Sequence, residues 1–348
     1  MAFDAPRKNV PMVLTRLVLL FVLLLTLAPA RADTLAQVKA RGYVSCGVTD
    51  AAPGFSSRGE DGVWRGFDVD YCRALAAAIF DDADKVKFSG FAARDRAGAL
   101  LSGAVDVLAG GAGWTLSRDA GQKLHYAAVS FFDGQGFLAP RKLAITAAQD
   151  LAGKAICVQQ GGAQELALAD FFRARKAEYA ERPFASFEEA AKAYDAQRCD
   201  VLTGDVSQLS AARATLAAPA EHIVLTDLVA KSLHGPMVRH GDDAWFDVVR
   251  WTLFALLDAE ELGLSSQTVD AMLTTSDNPD IRRLLGVEGD HGDGLGLPAD
   301  WAYRVVKHVG NYAEVFERNL GQGSPLAMER RLNALWSRGG VMVGAGVR

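Results

Sequence analysis

The 348-residue sequence is short of the features that mark membrane-spanning, nucleic-acid-binding or zinc-ligating proteins. Its apolar stretches are brief. The strongest, Leu17 to Leu27, is 11 residues long, whereas a helix that crosses a bilayer needs about 20. Positive charge is in deficit: 37 Lys and Arg stand against 42 Asp and Glu, a net charge of −5. A nucleic-acid binder needs a basic face to neutralise phosphates, so that role is excluded. Cysteine is scarce, at four, and histidine at six. Cys46, Cys72, Cys157 and Cys199 have none of the paired spacing of zinc sites. The histidines are scattered, and neither a catalytic triad nor a metal or cofactor site is expected. What remains is ordinary for a folded chain, 50% hydrophobic and 23% charged. At about 100–200 residues per domain, the length suits two globular units.

Arg7, Lys8 and Arg16 precede the apolar stretch, and Ala28-Pro29-Ala30-Arg31-Ala32 follows it. A positive segment, a short apolar segment and small residues at the end predict an export leader over residues 1–32, cleaved after Ala32. No cysteine stands at the cleavage point to take a lipid anchor. Removal takes away four basic residues and one acidic residue, so the mature chain is more acidic still. Export also changes the reading of the cysteines. An even number in an oxidising compartment predicts two disulfides, for which the sequence permits three pairings.

Beyond the leader, short β-like runs alternate with helical stretches. Tyr43–Val48, Val105–Leu108, Ala155–Val158 and Asp200–Thr203 read as strands, while Val69–Phe80, Glu165–Arg175, Phe187–Ala196 and Trp245–Glu261 read as helices. Strands spaced in this way predict an α/β fold with mostly parallel sheets flanked by helices. The pattern runs twice, because Asp106-Val107 and Asp200-Val201 each follow a helix and open a strand. Phe131–Leu138 and His234–Val238 read as two extended crossings between the halves. The expected organisation is a first lobe from residues 33–135, a second lobe over 136–235, and a return to the first lobe over 236–348. The last stretch is helical from Ile281, with breaks near Gly289–Pro298 and Gly321–Pro325. Two lobes joined by two crossings leave a cleft at the strand ends, where open α/β sheets bind ligands.

Several segments resemble the periplasmic amino-acid-binding proteins of ABC uptake systems, and most closely their general L-amino-acid-binding branch. They include Gly66-Phe67-Asp68-Val69-Asp70, Trp114-Thr115-Leu116-Ser117-Arg118-Asp119, Asp133-Gly134-Gln135-Gly136-Phe137, Cys199 to Asp205, Gly241 to Phe246, and Val309-Gly310-Asn311-Tyr312. The resemblance covers nearly all of the chain from Thr34. It implies a two-lobed fold of the type II class that closes on a free amino acid and delivers it, as a monomer, to an inner-membrane permease. It also implies that Arg118 grips the α-carboxylate, with backbone N–H groups of Gly161, Gly162 and Ala163 adding to it, and that Asp205 pairs with the α-ammonium. A zwitterion in a cleft needs both charges met, and a guanidinium matches a carboxylate in bidentate geometry. The four cysteines fall where that branch has its own. The pairing expected is Cys46–Cys72 and Cys157–Cys199, one bridge inside each lobe, which leaves the hinge between them free.

The departures matter as much. The family places Ser or Thr hydroxyls in both ligand loops, yet here stand Ala109-Gly110-Gly111-Ala112-Gly113 and Gly161-Gly162-Ala163. A hydrogen bond to a charged group is worth roughly 1.5–3 kcal/mol, so their loss should weaken binding. Gly111 and Gly113 would leave backbone groups close to the ligand. Thr49, Ala52, Phe55 and Trp114 form an expected side-chain wall that is small and uncharged, favouring neutral or varied amino acids. Two alternatives accompany the transport reading: a degenerate binder serving as a sensor or accessory protein with a different ligand, and a periplasmic enzyme of the cyclohexadienyl dehydratase type on the same fold. The second would need a general acid or base in the cleft, and none flanks the loops except Glu165 inside a helix.

Overall fold

The computed structural model describes Met1 and residues 33–92, 94–111 and 113–348, so the expected leader over 1–32 lies outside the described residues. The first lobe opens with α1 (Thr34–Arg41) and β1 (Val44–Thr49), followed by the hairpin β2 (Ser57–Arg58) and β3 (Trp64–Arg65). Next come α2 (Phe67–Phe80), β4 (Val86–Phe91), α3 (Arg96–Leu101), β5 (Val107–Leu108) and β6 (Leu124–Tyr126). Strand β7 (Phe131–Pro140) crosses to the second lobe, where β8 (Ala155–Gln159), α4 (Ala163–Arg175), β9 (Ala180–Phe184) and α5 (Phe187–Asp195) follow. That lobe is completed by β10 (Val201–Asp205), α6 (Val206–Thr215), β11 (His222–Val224) and the returning β12 (Ala230–His234). The chain re-enters the first lobe through β13 (Met237–Arg239) and α7 (Asp243–Glu261). It ends on α8 (Val269–Thr275), α9 (Pro279–Leu284), α10 (Trp301–Val309) and α11 (Tyr312–Asn319).

Each lobe is built on one sheet. The first has the order β4-β1-β5-β13-β6, the second β11-β7-β10-β8-β9 with β12 also paired to β7. Three strands of each are parallel: β4, β1 and β5 in one, and β9, β8 and β10 in the other. Their antiparallel neighbours are the strands that lead into or out of the crossings. β1 reads Val-Ser-Cys-Gly-Val-Thr and is buried along most of its length, as a strand covered on both faces should be. Helix α2 covers it with a nearly continuous apolar face of alanine, leucine and aromatic residues.

The repeated Asp-Val step has a structural meaning. Asp106 accepts the backbone N–H of Ser45 at 2.7 Å, and Asp200 accepts that of Ala155 at 2.8 Å. In both lobes the aspartate before the inner strand ties down the start of its parallel neighbour. The disulfides Cys46–Cys72 and Cys157–Cys199 form as expected, joining β1 to α2 and β8 to the segment before β10.

The two crossings are paired with each other. β12 runs antiparallel to the first half of β7, from His234 opposite Phe131 to Ala230 opposite Gln135. At the hinge, Ala127 N–H donates to Pro236 O and Ser130 N–H to His234 O, both at 2.9 Å. A Cβ on Gly235 would overlap the carbonyl of Ala128, so only glycine allows this approach.

The tail departs from expectation. Helix does not resume beyond Gly321–Pro325. After α11 the described backbone makes only two single turns, Arg331–Asn333 and Trp336–Arg338. The reason lies in tertiary contacts, because this segment straps both lobes. Arg330 makes a bidentate pair with buried Glu260 of α7 at 2.7 and 2.9 Å. Asn333 bonds both backbone groups of Phe132 on β7, and Arg331 reaches Leu225 O in the second lobe at 3.0 Å. Among the described residues, no helix is long and apolar enough to cross a membrane.

Candidate functional site

Between the lobes lies a cavity of about 440 Å³. Thr49, Phe55, Gly111, Gly113, Trp114 and Arg118 line it from the first lobe, and Ala163 and Asp205 from the second. Gly161 and Gly162, also expected there, are not among the lining residues. The backbone N–H of Gly161 is taken by the Glu165 carboxylate at 2.7 Å, so the start of α4 meets the cavity through Ala163 and Gln164 instead. Phe55 is mostly core: it is 9% exposed and packs edge-on against Phe67 and Phe131. Trp114 stacks flat on Tyr126, with centroids 5.2 Å apart, and donates its indole N–H to Asp119 at 2.8 Å.

The glycine-rich loop of the first lobe is not bare. Gly110 and Gly111 adopt left-handed φ values of 64° and 72°. A Cβ on Gly110 would overlap the Asp68 carboxylate, and one on Gly111 would overlap Thr49 Oγ1 and Arg96 Nη1. The space left by side chains missing from the loop is therefore filled by side chains from α2, β1 and α3. Arg96 is 8% exposed. It donates to Thr49 Oγ1 at 2.6 Å, and its Nε has no partner, nor does Asp68 Oδ2. Burial pushes the Asp68 carboxyl well above the usual carboxylate range, against the pull of Arg96. Burial also lowers the Arg96 guanidinium pKa, with Asp68 opposing. Arg118 donates to Gly113 O at 2.7 Å, and Tyr126 donates to the same carbonyl at 3.0 Å.

The cavity wall holds ionisable side chains in addition to the expected uncharged set of Thr49, Ala52, Phe55 and Trp114. Asp68 and Lys231 both line it. Asp68 comes from the first turn of α2 and Lys231 from the returning crossing, neither of which a reading confined to the two ligand loops would include.

The opposite wall is set by strand register. Gln135 pairs with both Asp205 and Ala230, Asp133 with Ser232, and Phe131 with His234. Side chains alternate along a strand, so Asp133, Gln135, Asp205, Ser232 and His234 share one face. Asp205 Oδ1 accepts from Gln164 Nε2 at 3.0 Å. Asp133, 3% exposed, accepts from the N–H groups of Gly134 at 2.8 Å and Ser207 at 3.3 Å, and from the Ser207 hydroxyl. Burial, reinforced by Asp205, pushes its carboxyl up to about 7. His234 shares a 2.9 Å hydrogen bond with Ser232 Oγ. Burial lowers its pKa, Asp205 opposes this, and Arg96 and Arg118 add to it. Donor atoms of Asp133, Asp205 and His234 lie within 4.8 Å of one another, close enough to face one cationic group. Arg96, Asp68, Asp133 and His234 are site residues that the sequence reading does not nominate. Asp68 and Asp133 stand inside the family-like segments and His234 opens the second crossing; alternation along an extended strand is the signal for the last two. Arg96, within Arg94-Asp95-Arg96, reads as solvated surface charge.

Two lobes linked by a paired crossing, with Arg118 and Asp205 on opposite sides of one cleft, define a protein that binds a small solute. A sequence model of the bacterial extracellular solute-binding proteins, family 3, matches residues 44–267, and the chain belongs to that family. The general L-amino acid-binding periplasmic protein AapJ of Rhizobium johnstonii is 48% identical over 329 residues, spanning 94% of this chain and 96% of AapJ. The glutamate/glutamine/aspartate/asparagine-binding protein BztA of Rhodobacter capsulatus is 43% identical over 313 residues, 90% of this chain and 93% of BztA. Among solved structures, an ABC transporter/periplasmic binding protein from Brucella ovis with glutathione bound is 50% identical. It superposes with a TM-score of 0.82 and covers 91% of this chain and 100% of that one.

Proposed function

We propose that this protein is the substrate-binding component of an ABC importer, exported to the periplasm by cleavage of residues 1–32. It captures a free amino acid or similar small zwitterion and presents it, as a monomer, to an inner-membrane permease. The observation that carries this reading is charge placement. Arg118 and the Arg96–Thr49 pair belong to one lobe, while Asp205, with Asp133 close behind it, stands on the other side. An α-carboxylate meets Arg118 and the amide-rich start of α4, and an α-ammonium meets Asp205. Lys231 on the wall widens the accepted side chains beyond neutral ones. The relatives named for general L-amino acids, for acidic residues and their amides, and for glutathione agree with a site that tolerates both size and charge.

The reading of a degenerate site loses part of its motive, because Gly110 and Gly111 accommodate Asp68 and Arg96. An enzymatic reading would recruit Asp133 and His234 as acid and base, but the curated relatives are binding proteins. A thermal-shift screen of the mature chain against the twenty L-amino acids and glutathione tests the proposal. A ligand at 100 times its Kd should stabilise the protein by about 2.7 kcal/mol. No stabilisation by any of them would reject it.

A further inference from the structure

We propose that Asp133 is a second carboxylate of the ammonium subsite: it holds a proton in the unliganded cleft, and capture of the ligand's ammonium group releases that proton. The inference rests on the amino-acid reading above and adds to it a residue and a proton. Asp133 sits one layer behind the cavity lining, so it acts through Asp205 and is a positioning residue.

The geometry comes from the register of the crossing ribbon. Asp133, Gln135 and Asp205 share a face, and Asp133 and Asp205 approach within 4.8 Å. The Asp205 charge this close inside a protein disfavours ionisation of the Asp133 carboxyl. The buried side chain of Gln135, 2% exposed, points to what belongs beside them. It lines the cavity, and its amide nitrogen is spent on Gln164 O and Thr203 Oγ1, yet its carbonyl oxygen has no partner. A buried acceptor left unpaired costs about 1–3 kcal/mol. An ammonium group has three N–H donors, which Asp205, Gln135 Oε1 and the Ser232 or Ser207 hydroxyl can accept. Its charge favours the ionised form of Asp133.

The remaining charges around Asp133 are consistent with this balance. Asp205 faces it from β10, and His234 from β12. Arg96, Arg118 and Lys231 are the cations of the cleft. On the far side Glu329, Arg330 and Arg331 of the tail border a second cavity that Asp133 also lines. The step conserves charge: a protonated carboxyl and an entering ammonium become a carboxylate–ammonium pair and one proton delivered to water. With the Asp133 carboxyl at about 7 in the free protein, and an adjacent cation lowering it by about 1–3 units, roughly half a proton leaves at pH 7. By the same linkage, affinity rises about 10-fold to nearly 100-fold between pH 5 and pH 8.

The test is carbon-13 NMR of the aspartate-labelled mature chain, with and without an equimolar mixture of the twenty L-amino acids. We expect two aspartate carboxyls to titrate near pH 7, Asp258 and a second that vanishes in Asp133→Asn, and the mixture to move that second one to its ionised position at pH 7. Should Asp133→Asn fail to fold, Ser207→Ala serves. It removes a hydrogen bond that favours the ionised form, so the midpoint must rise. An Asp133 carboxyl already ionised at pH 5, or unmoved by a mixture that raises Tm, overturns the inference alone. A mixture that leaves Tm unchanged overturns the amino-acid reading and the inference with it. Zinc chloride alone shifting the resonance, where the mixture does not, would assign the cluster to a metal ion and overturn the inference.

Discussion

Replacing Gly111 by alanine tests whether the glycine-rich loop is a bed for Arg96 or a worn ligand loop. At φ 72° a non-glycine residue pays about 1–2 kcal/mol for left-handed backbone. Its Cβ would also overlap Thr49 Oγ1 and Arg96 Nη1, so the guanidinium has to move. That breaks the 2.6 Å hydrogen bond between them, a charged one worth about 1.5–3 kcal/mol. Together these give a loss of roughly 3–4 kcal/mol in unfolding free energy. Gly113→Ala is the control. Gly113 lies in an antiparallel bridge to His234, and the nearest atom to its Cβ would be the movable Ser232 hydroxyl at 3.0 Å. Urea denaturation of the three proteins reads the difference. If Gly111→Ala unfolds at the same denaturant concentration as Gly113→Ala and wild type, Arg96 is not seated on this loop, and the account of the missing side chains fails.

Two further predictions follow from the same geometry and from a second buried carboxyl. Gly113→Thr, Gly162→Thr and Ala163→Thr combined should tighten binding of ordinary L-amino acids at least tenfold, since one restored hydrogen bond of about 1.4 kcal/mol is a factor of ten. Gly162 has φ −107° and open space around it, so threonine fits there; calorimetry on the folded triple variant showing unchanged affinity would reject the idea. Asp258 on α7 is buried with Oδ2 unpartnered, and burial, then Glu261, raises its carboxyl from 3.8 to about 7. A carboxyl raised in the fold loses stability as pH climbs from about 4 to about 7, so Asp258→Asn should gain about 2 kcal/mol at pH 8 and little at pH 4.5; a gain independent of pH would contradict this.

Much of the architecture is legible in the order of residues along the chain. The β1 strand, α2, α7 and the paired Asp-Val steps announce themselves through apolar runs, helical periodicity and turn residues. The crossings are legible because Phe131–Leu138 is extended, aromatic and glycine-rich. What escapes is set by tertiary contacts. β4 alternates Lys87 and Ser89 with apolar residues on a half-exposed edge, a weak local pattern. α6 starts directly at Asp205, whose side chain a local reading assigns wholly to the ligand. The tail beyond Asn319 has no regular period, because its residues satisfy partners on two lobes. Within the site, Arg118 and Asp205 are legible through their segments. Arg96 is not, since nothing near it in the chain shows that it folds onto Gly111, some 15 residues on. Asp133 and His234 are hidden by register: only pairing β7 with β12 and β10 turns them toward one point.

The most direct measurement is calorimetric titration of wild type, Arg118→Ala and Asp205→Ala with the amino acid that gives the largest thermal shift. Each substitution leaves one end of a zwitterion unpaired in a closing cleft, a loss of about 3–5 kcal/mol, or roughly 100-fold or more in Kd. The account predicts clear binding by wild type and none detectable by either variant, with circular dichroism unchanged. Wild-type affinity retained in Asp205→Ala would contradict it, because the ligand would then owe nothing to an ammonium group.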